Sequence, residues 1–279
     1  MTGLPDLPEE HQDRSVLLFA FGLAELVFGV FALFLTALLV VRLCIGEPEP
    51  AMLVPAILGH LLLGVYYVAA GIGSIQARRW ARPVVVVVSW LWLLTGVAAL
   101  ALAAVFLPGM MAQARPPGVD AEMLSVAQGC GFAVLTVLCV VLPGIFLSVY
   151  GSAGVRTTFE ARDPVPRWTD RCPTPVLGLC LFLLYLAVGL LFAEQAVAWS
   201  MAAFLPILAW AAYRLRPWAW WSILGVWLLG AGSAWSFFAK PFAAQTPFLQ
   251  SPEVKLFVSL FFFGALVYLL WVRKSFVQR

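Results

Sequence analysis

Glu25 and His60 are the two ionisable side chains that lie well inside the apolar segments of this 279-residue chain. An ionisable group in hydrocarbon is costly, and such groups build the proton relays of membrane proteins. If the first two apolar segments cross a bilayer in opposite directions, Glu25 lies about 15 Å and His60 about 18 Å from the same surface. At similar depths the two side chains could share a proton or form an ion pair.

A simpler interpretation keeps each side chain neutral and hydrogen-bonded, either to a backbone carbonyl or to a nearby hydroxyl. A third alternative is that a segment boundary is misplaced and one of the two groups lies in water. The second half of the chain contains no equivalent pair. Any site built on Glu25 and His60 would therefore be single, and the sequence does not decide between the three alternatives.

The composition predicts that membrane helices position these residues. Hydrophobic residues make up 63% of the chain and charged residues 11%, and the mean hydropathy is +0.96. A soluble domain is about half apolar and a quarter charged. We therefore expect an all-α integral membrane protein whose partner is the lipid bilayer. The net charge of +3 gives no reason to expect a nucleic-acid partner.

Breaks between the apolar runs predict about eight transmembrane helices. The stretch from Val176 to Tyr213 is ambiguous, because only the sequence AEQA interrupts it. It forms either two short spans with a turn at Glu194 and Gln195 or one re-entrant hairpin, which would reduce the count to six. The eight expected spans are residues 15–42, 52–76, 83–107, 123–151, 176–194, 198–213, 217–238 and 255–272.

The distribution of positive charge predicts the orientation. With eight spans, 13 of the 17 Lys and Arg residues fall on the side that carries both termini. Cytoplasmic loops carry the excess of Lys and Arg, so both termini are expected in the cytoplasm. Arginine outnumbers lysine and asparagine is absent, a bias typical of GC-rich bacterial genomes. The expected location is thus a bacterial cytoplasmic (inner) membrane.

Arginines and tryptophans cluster in the turns before the third and seventh spans. Tryptophan favours the headgroup level, where its ring is half in hydrocarbon and its N–H finds a partner. An aromatic cage for a substrate is the alternative role of the tryptophans. We interpret the following residues as topology determinants and interfacial anchors: Arg78, Arg79, Trp80, Arg82, Arg214, Arg216 and Trp218.

Short matches in the same order indicate an internal repeat. The turn RRWARP resembles RLRPWAW, and VRTTF after the fourth span resembles VRKSF after the eighth. We expect two tandem four-helix units of the same orientation, residues 1–160 and 176–279. The cytoplasmic linker between them, residues 161–175, is too short for a domain but could dock a partner.

Motifs for chemistry are scarce in this sequence. Walker A, zincin and nucleophile-elbow motifs are absent, and five scattered cysteines have no metal-site spacing, so no metal or cofactor is expected. We expect a structural or accessory subunit of a membrane complex, with a possible protein partner. One alternative is a small-molecule or proton-coupled transporter that uses the Glu25–His60 pair. A second alternative is a membrane-embedded enzyme acting on lipid or quinone.

Overall fold

The computed structural model describes residues 13–46, 50–113, 120–191, 196–239 and 252–277. Within these ranges the chain is helical almost throughout and contains no strand, which confirms the all-α prediction. The first half comprises α1 (Ser15–Ile45), α2 (Pro50–Ile75), α3 (Ala81–Gln113), α4 (Ala121–Thr136), α5 (Leu142–Gly151) and α6 (Ala153–Arg162). The second half comprises α7 (Thr174–Leu190), α8 (Ala196–Tyr213), α9 (Pro217–Ala239), α10 (Pro252–Val272) and α11 (Lys274–Val277).

Five helices of the described ranges are long and apolar enough to cross a bilayer, so the chain is an integral membrane protein by length and composition. The helices α7 and α8 have 17 and 18 residues. At 1.5 Å per residue each is about 26 Å long, slightly less than a 30 Å hydrocarbon core. The predicted turn at Glu194 and Gln195 lies outside the described residues. The five segments are Ser15–Ile45, Ala56–Ile75, Ala81–Leu107, Glu122–Gly151 and Val254–Phe276.

Glycines bring α1 and α2 into backbone contact. A Cβ atom added at Gly71 would lie 2.6 Å from the carbonyl oxygen of Gly22, and one added at Gly29 would lie 2.7 Å from the backbone nitrogen of Val68. Small residues allow this approach between membrane helices, where close packing takes the place of hydrophobic burial. Gly22 and Gly29 are seven residues apart, so both lie on the same face of α1.

A π-helical turn and a proline interrupt the regular α-helix of the fourth span. A π-helical turn, Val137–Val141, joins α4 to α5, and Pro143 follows at the second position of α5. Proline has no N–H to donate to the carbonyl four residues earlier, which here belongs to Cys139. The chain adapts with a wider turn, in which the Leu142 N–H bonds to the Val137 carbonyl.

The segment between α5 and α7 is folded. Ser152 ends α5 and caps α6, since its hydroxyl accepts a hydrogen bond of 3.4 Å from the Val155 N–H. A single 3-10 turn, Trp168–Arg171, follows α6 and leads into α7. The predicted linker is therefore a short ordered layer across one end of the helices.

Two apolar cores meet at α3. Val85 of α3 packs in a first core with residues of α1, α2, α5 and α6. Val84 and Val87, on another face of α3, pack in a second core with residues of α7, α8, α9 and α10. The third span is thus shared by both halves of the molecule.

The turns that precede α3 and α9 have the same backbone conformation. Ala77 and Leu215 have positive φ values of 48° and 53°, which non-glycine residues rarely adopt. In both turns the next N–H, of Arg78 or Arg216, bonds to the carbonyl oxygen five residues earlier, at 2.7 and 3.0 Å. This hydrogen bond caps the C-terminus of α2 in the first turn and of α8 in the second, where the chain reverses direction.

Candidate functional site

Glu25, Ser74 and Tyr150 form a hydrogen-bonded chain between three helices. The Tyr150 hydroxyl donates to Ser74 Oγ at 2.8 Å, and the Ser74 hydroxyl donates to Glu25 Oε2 at 2.9 Å. The Glu25 side chain, on α1, is 1% exposed, while Ser74 of α2 and Tyr150 of α5 are fully buried. We call these three residues the Glu25 cluster.

The Glu25 cluster lies on the seam where α1 meets its neighbours. The buried residues of α1 recur every three or four positions, and Glu25 falls midway between Gly22 and Gly29. The close helix approach at these glycines brings Ser74 within reach of the carboxylate. The amphipathic spacing and the glycines thus place the one acidic residue of α1 at the centre of its buried stripe.

Aromatic rings enclose the cluster. The ring of Tyr150 stacks on Phe146 with centroids 6.0 Å apart and meets Phe21 edge-on at 6.2 Å. The Arg82 Nε donates to the backbone carbonyl of Tyr150 at 2.9 Å, which satisfies a carbonyl at the end of α5. Tyr150 is therefore held in place both by ring packing on its side chain and by a hydrogen bond to its backbone carbonyl.

One oxygen of the Glu25 carboxyl, Oε1, is buried and has no hydrogen-bond partner among the described residues. Buried polar atoms are usually satisfied, and each exception calls for an explanation. A carboxyl with one engaged and one unengaged oxygen can carry a proton on the unengaged oxygen. The Glu25 carboxyl is thus suited to holding or releasing a proton.

The structure does not bring Glu25 and His60 together. The His60 Nδ1 lies 2.7 Å from the Ala56 carbonyl of its own helix. Gly64 of α2 faces Leu33 of α1, so His60 lies opposite the part of α1 beyond Leu33, well away from Glu25. Each side chain bonds to a hydroxyl or a carbonyl, as in the simpler interpretation. The direct pair, one of the alternatives left open by the sequence, is absent from this arrangement because the glycine contacts set the register of the two helices, which span boundaries alone do not show.

The arginines of the α2–α3 turn bind the linker. The Arg79 backbone N–H donates to Asp163 Oδ2 at 3.2 Å, and its guanidinium approaches both carboxylate oxygens of Asp170, at 3.1 and 3.2 Å. Arg78 bonds to Gln76 at 3.1 Å in the turn itself. These contacts join the turn to a segment about 90 residues later.

Asp163 is the centre of this polar layer. It accepts two hydrogen bonds from the Arg167 guanidinium, at 3.0 and 2.9 Å, besides the one from Arg79. The Arg167 hydrogen bonds hold the pKa of the Asp163 carboxyl below its usual value. Similarly, the Arg162 side chain lowers the pKa of Asp13. The sequence interpretation missed these acidic residues, although the alternation of Arg and Asp in RDPVPRWTDR was a signal for ion pairing.

In the second half, arginines lie over tryptophan rings. The Arg273 guanidinium lies 5.2 Å from the centroid of Trp220, and that of Arg214 lies 5.5 Å from Trp210. Trp218 is 48% exposed, whereas Trp80 is partly buried and packs against both apolar cores. The two predicted anchor tryptophans thus occupy different environments.

No protein-family model matches the sequence, and no curated protein and no solved structure resembles it significantly. Among the described residues, no three His, Cys, Asp or Glu side chains are grouped as they would be at a metal site. Conclusions about function therefore depend on the geometry of the Glu25 cluster and of the arginine-rich layer.

Proposed function

We propose that the chain is a structural or accessory subunit of a membrane complex. The observation that carries the proposal is the enclosed state of the Glu25 cluster. Ser74 links Tyr150 to one oxygen of Glu25 across α5, α2 and α1, and glycine contacts and aromatic rings surround the three side chains. A buried polar network of this kind rigidifies a core and specifies one arrangement of the helices. A carrier, in contrast, needs polar groups that a substrate can reach.

The proposal includes the full predicted topology. We propose eight spans in two parallel tandem units, with both termini in the cytoplasm of a bacterium. The matching turns before α3 and α9 support the repeat. A second feature also supports it: at corresponding positions, Arg82 and Trp220 donate to carbonyls near the ends of α5 and α10, each at 2.9 Å.

The test is native mass spectrometry of the tagged protein extracted from its own membrane. We expect one partner polypeptide at fixed stoichiometry, and we expect Glu25→Gln to retain it because the amide oxygen can still accept from Ser74. The matched control is His60→Gln, which alters the other intramembrane polar residue outside the cluster. A monomer without any protein partner, or a partner lost in Glu25→Gln alone, would contradict the proposal.

A second candidate is proton-coupled transport, which the unpartnered Oε1 of Glu25 favours. In this case Glu25 alone would bind the proton, without His60. The test is pH-gradient dissipation in proteoliposomes, where Glu25→Gln would abolish a flux that His60→Gln leaves unchanged. Equal, background-level flux in the wild type and both variants would exclude this candidate. The described residues add no support for an enzyme acting on lipid or quinone.

A further inference from the structure

A cavity of about 380 Å³ opens at the end of the helices where the folded linker lies. Its walls are the first turns of α3 and α7, together with α6 and the 3-10 turn. Four guanidinium groups and two carboxylates line it, which leaves an excess of positive charge. These charged residues are Arg79, Arg82, Arg156, Arg171, Glu160 and Asp170.

Two of the four arginines form no ion pair within the described part of the chain. The Arg79 and Arg156 side chains form ion pairs with Asp170 and Glu160, at 3.1 and 2.9 Å. Arg82, in contrast, uses only its Nε, on a backbone carbonyl, and its two terminal nitrogens have no partner in the described part of the chain. Arg171 has neither a hydrogen bond nor an ion pair within that part.

A buried hydroxyl in the same cavity also lacks a partner. Thr169 lines the cavity and is 3% exposed, yet its Oγ1 has no hydrogen-bond partner among the described residues. Buried hydroxyls are normally satisfied, so an unengaged one in a residue that lines a cavity indicates a missing acceptor or donor.

The backbone adds to the positive potential. The cavity is lined by Arg82 and Pro83 in the first turn of the 33-residue α3, and by Pro173 and Thr174 at the start of α7. Helix N-termini carry a partial positive charge and favour anions. Two such termini, two arginines without an ion pair and a residue with one unengaged hydroxyl therefore border the same cavity.

We propose that this cavity binds a phosphate group, held by Arg82, Arg171 and the Thr169 hydroxyl. The planar guanidinium group of arginine donates paired hydrogen bonds to two phosphate oxygens. An apolar ligand would leave these donors unpaired. The cavity lies at the first turns of α3 and α7, which meet the headgroup layer in the topology proposed above, and the lipid form of the inference rests on that topology. A phospholipid headgroup and a soluble phosphate compound present the same chemistry, and the experiment distinguishes them.

Lipid binding is tested in nanodiscs of phosphatidylcholine with and without phosphatidylglycerol, with native mass spectrometry to count the retained anionic lipids. Arg171 is exposed, and its side chain forms no hydrogen bond or ion pair within the described part of the chain, so Arg171→Gln should fold. We expect Arg171→Gln and Thr169→Val to retain the anionic lipid about tenfold less than the wild type. The matched control is Arg216→Gln, which removes one exposed arginine far along the chain, outside the cavity.

Free phosphate is tested by calorimetric titration of inorganic phosphate into protein in phosphatidylcholine nanodiscs. Saturable binding that Arg171→Gln abolishes and Arg216→Gln preserves would assign the site to a soluble phosphate compound. If the wild type binds neither lipid nor phosphate, or if the Arg171 and Arg216 variants bind equally, the proposal is overturned. Both binding measurements are independent of whether the chain has a protein partner. The phosphate site can therefore be disproved without disproving the proposed function, and the reverse also holds.

Discussion

The glycine contact between α1 and α2 allows a stability effect to be calculated for Gly71→Ala. The added Cβ would lie 2.6 Å from the Gly22 carbonyl oxygen and 2.9 Å from the Leu26 nitrogen, both backbone atoms that cannot rotate away. Ordinary contact begins near 3.4 Å, so the helices must separate by about 0.8 Å. Overpacking of this kind costs about 1 to 3 kcal/mol. Alanine recovers about 1 kcal/mol through its higher helix propensity.

The two backbone clashes place Gly71→Ala near the upper end of that range, so we expect a net loss of about 1 to 2 kcal/mol. Gly59→Ala is the matched control, because this glycine lies on the same helix and no atom lies within 4 Å of its added Cβ. That variant should be unchanged or more stable by up to about 1 kcal/mol.

The assay is reversible unfolding in mixed micelles with increasing dodecyl sulfate, followed by circular dichroism. The Gly71 variant should unfold at a lower fraction of dodecyl sulfate than the wild type, and the Gly59 variant should not. Unfolding of both variants at the same fraction would refute the backbone contact between α1 and α2. It would also remove the basis for placing Ser74 beside Glu25.

Three further predictions concern the polar groups and the orientation. Ser74→Ala removes the donor to Glu25 and should destabilise the protein by about 1 to 3 kcal/mol in the same assay. The pKa of Asp163 is lowered by its bonded guanidinium, so its stabilising contribution is complete above the ordinary value of 3.8 and is lost as the pH falls through the lower folded value. The melting temperature should therefore decrease when the pH is lowered below about 4. In intact cells, a cysteine at Arg162 should be shielded from an impermeant thiol reagent, and one at Gln245 should react.

Each of these has its own control. Ser148→Ala removes an exposed hydroxyl that bonds only within its own helix, and a loss equal to that of Ser74→Ala would contradict the role of the cluster. In Asp163→Asn the acid-induced fall in melting temperature should shrink, since the titrating group is absent; an unchanged fall would show that other carboxyls cause it. Labelling of the cysteine at residue 162 but not of the one at residue 245 would show that the orientation is opposite to the predicted one.

The sequence predicted the positions of the helices well, because long apolar runs and their proline and arginine breaks are local signals. The expected span at residues 52–76, for example, is the helix Pro50–Ile75. The polar contacts were less predictable. Glu25 was identified as unusual, but its partners Ser74 and Tyr150 depend on how three helices pack, which no local pattern encodes. In the same way, the ion pair between Arg79 and Asp170 joins residues 91 positions apart.

The position of α3 in both apolar cores has a consequence for biogenesis. Val84 and Val87 pack against residues of α7, which begins about 60 residues after α3 ends. At a synthesis rate of 5 to 20 residues per second, this face of α3 waits about 3 to 12 seconds in the membrane before its partner helix arrives. During that interval lipid or an insertion factor must cover it, so slow synthesis of the second half exposes the first half to mispairing.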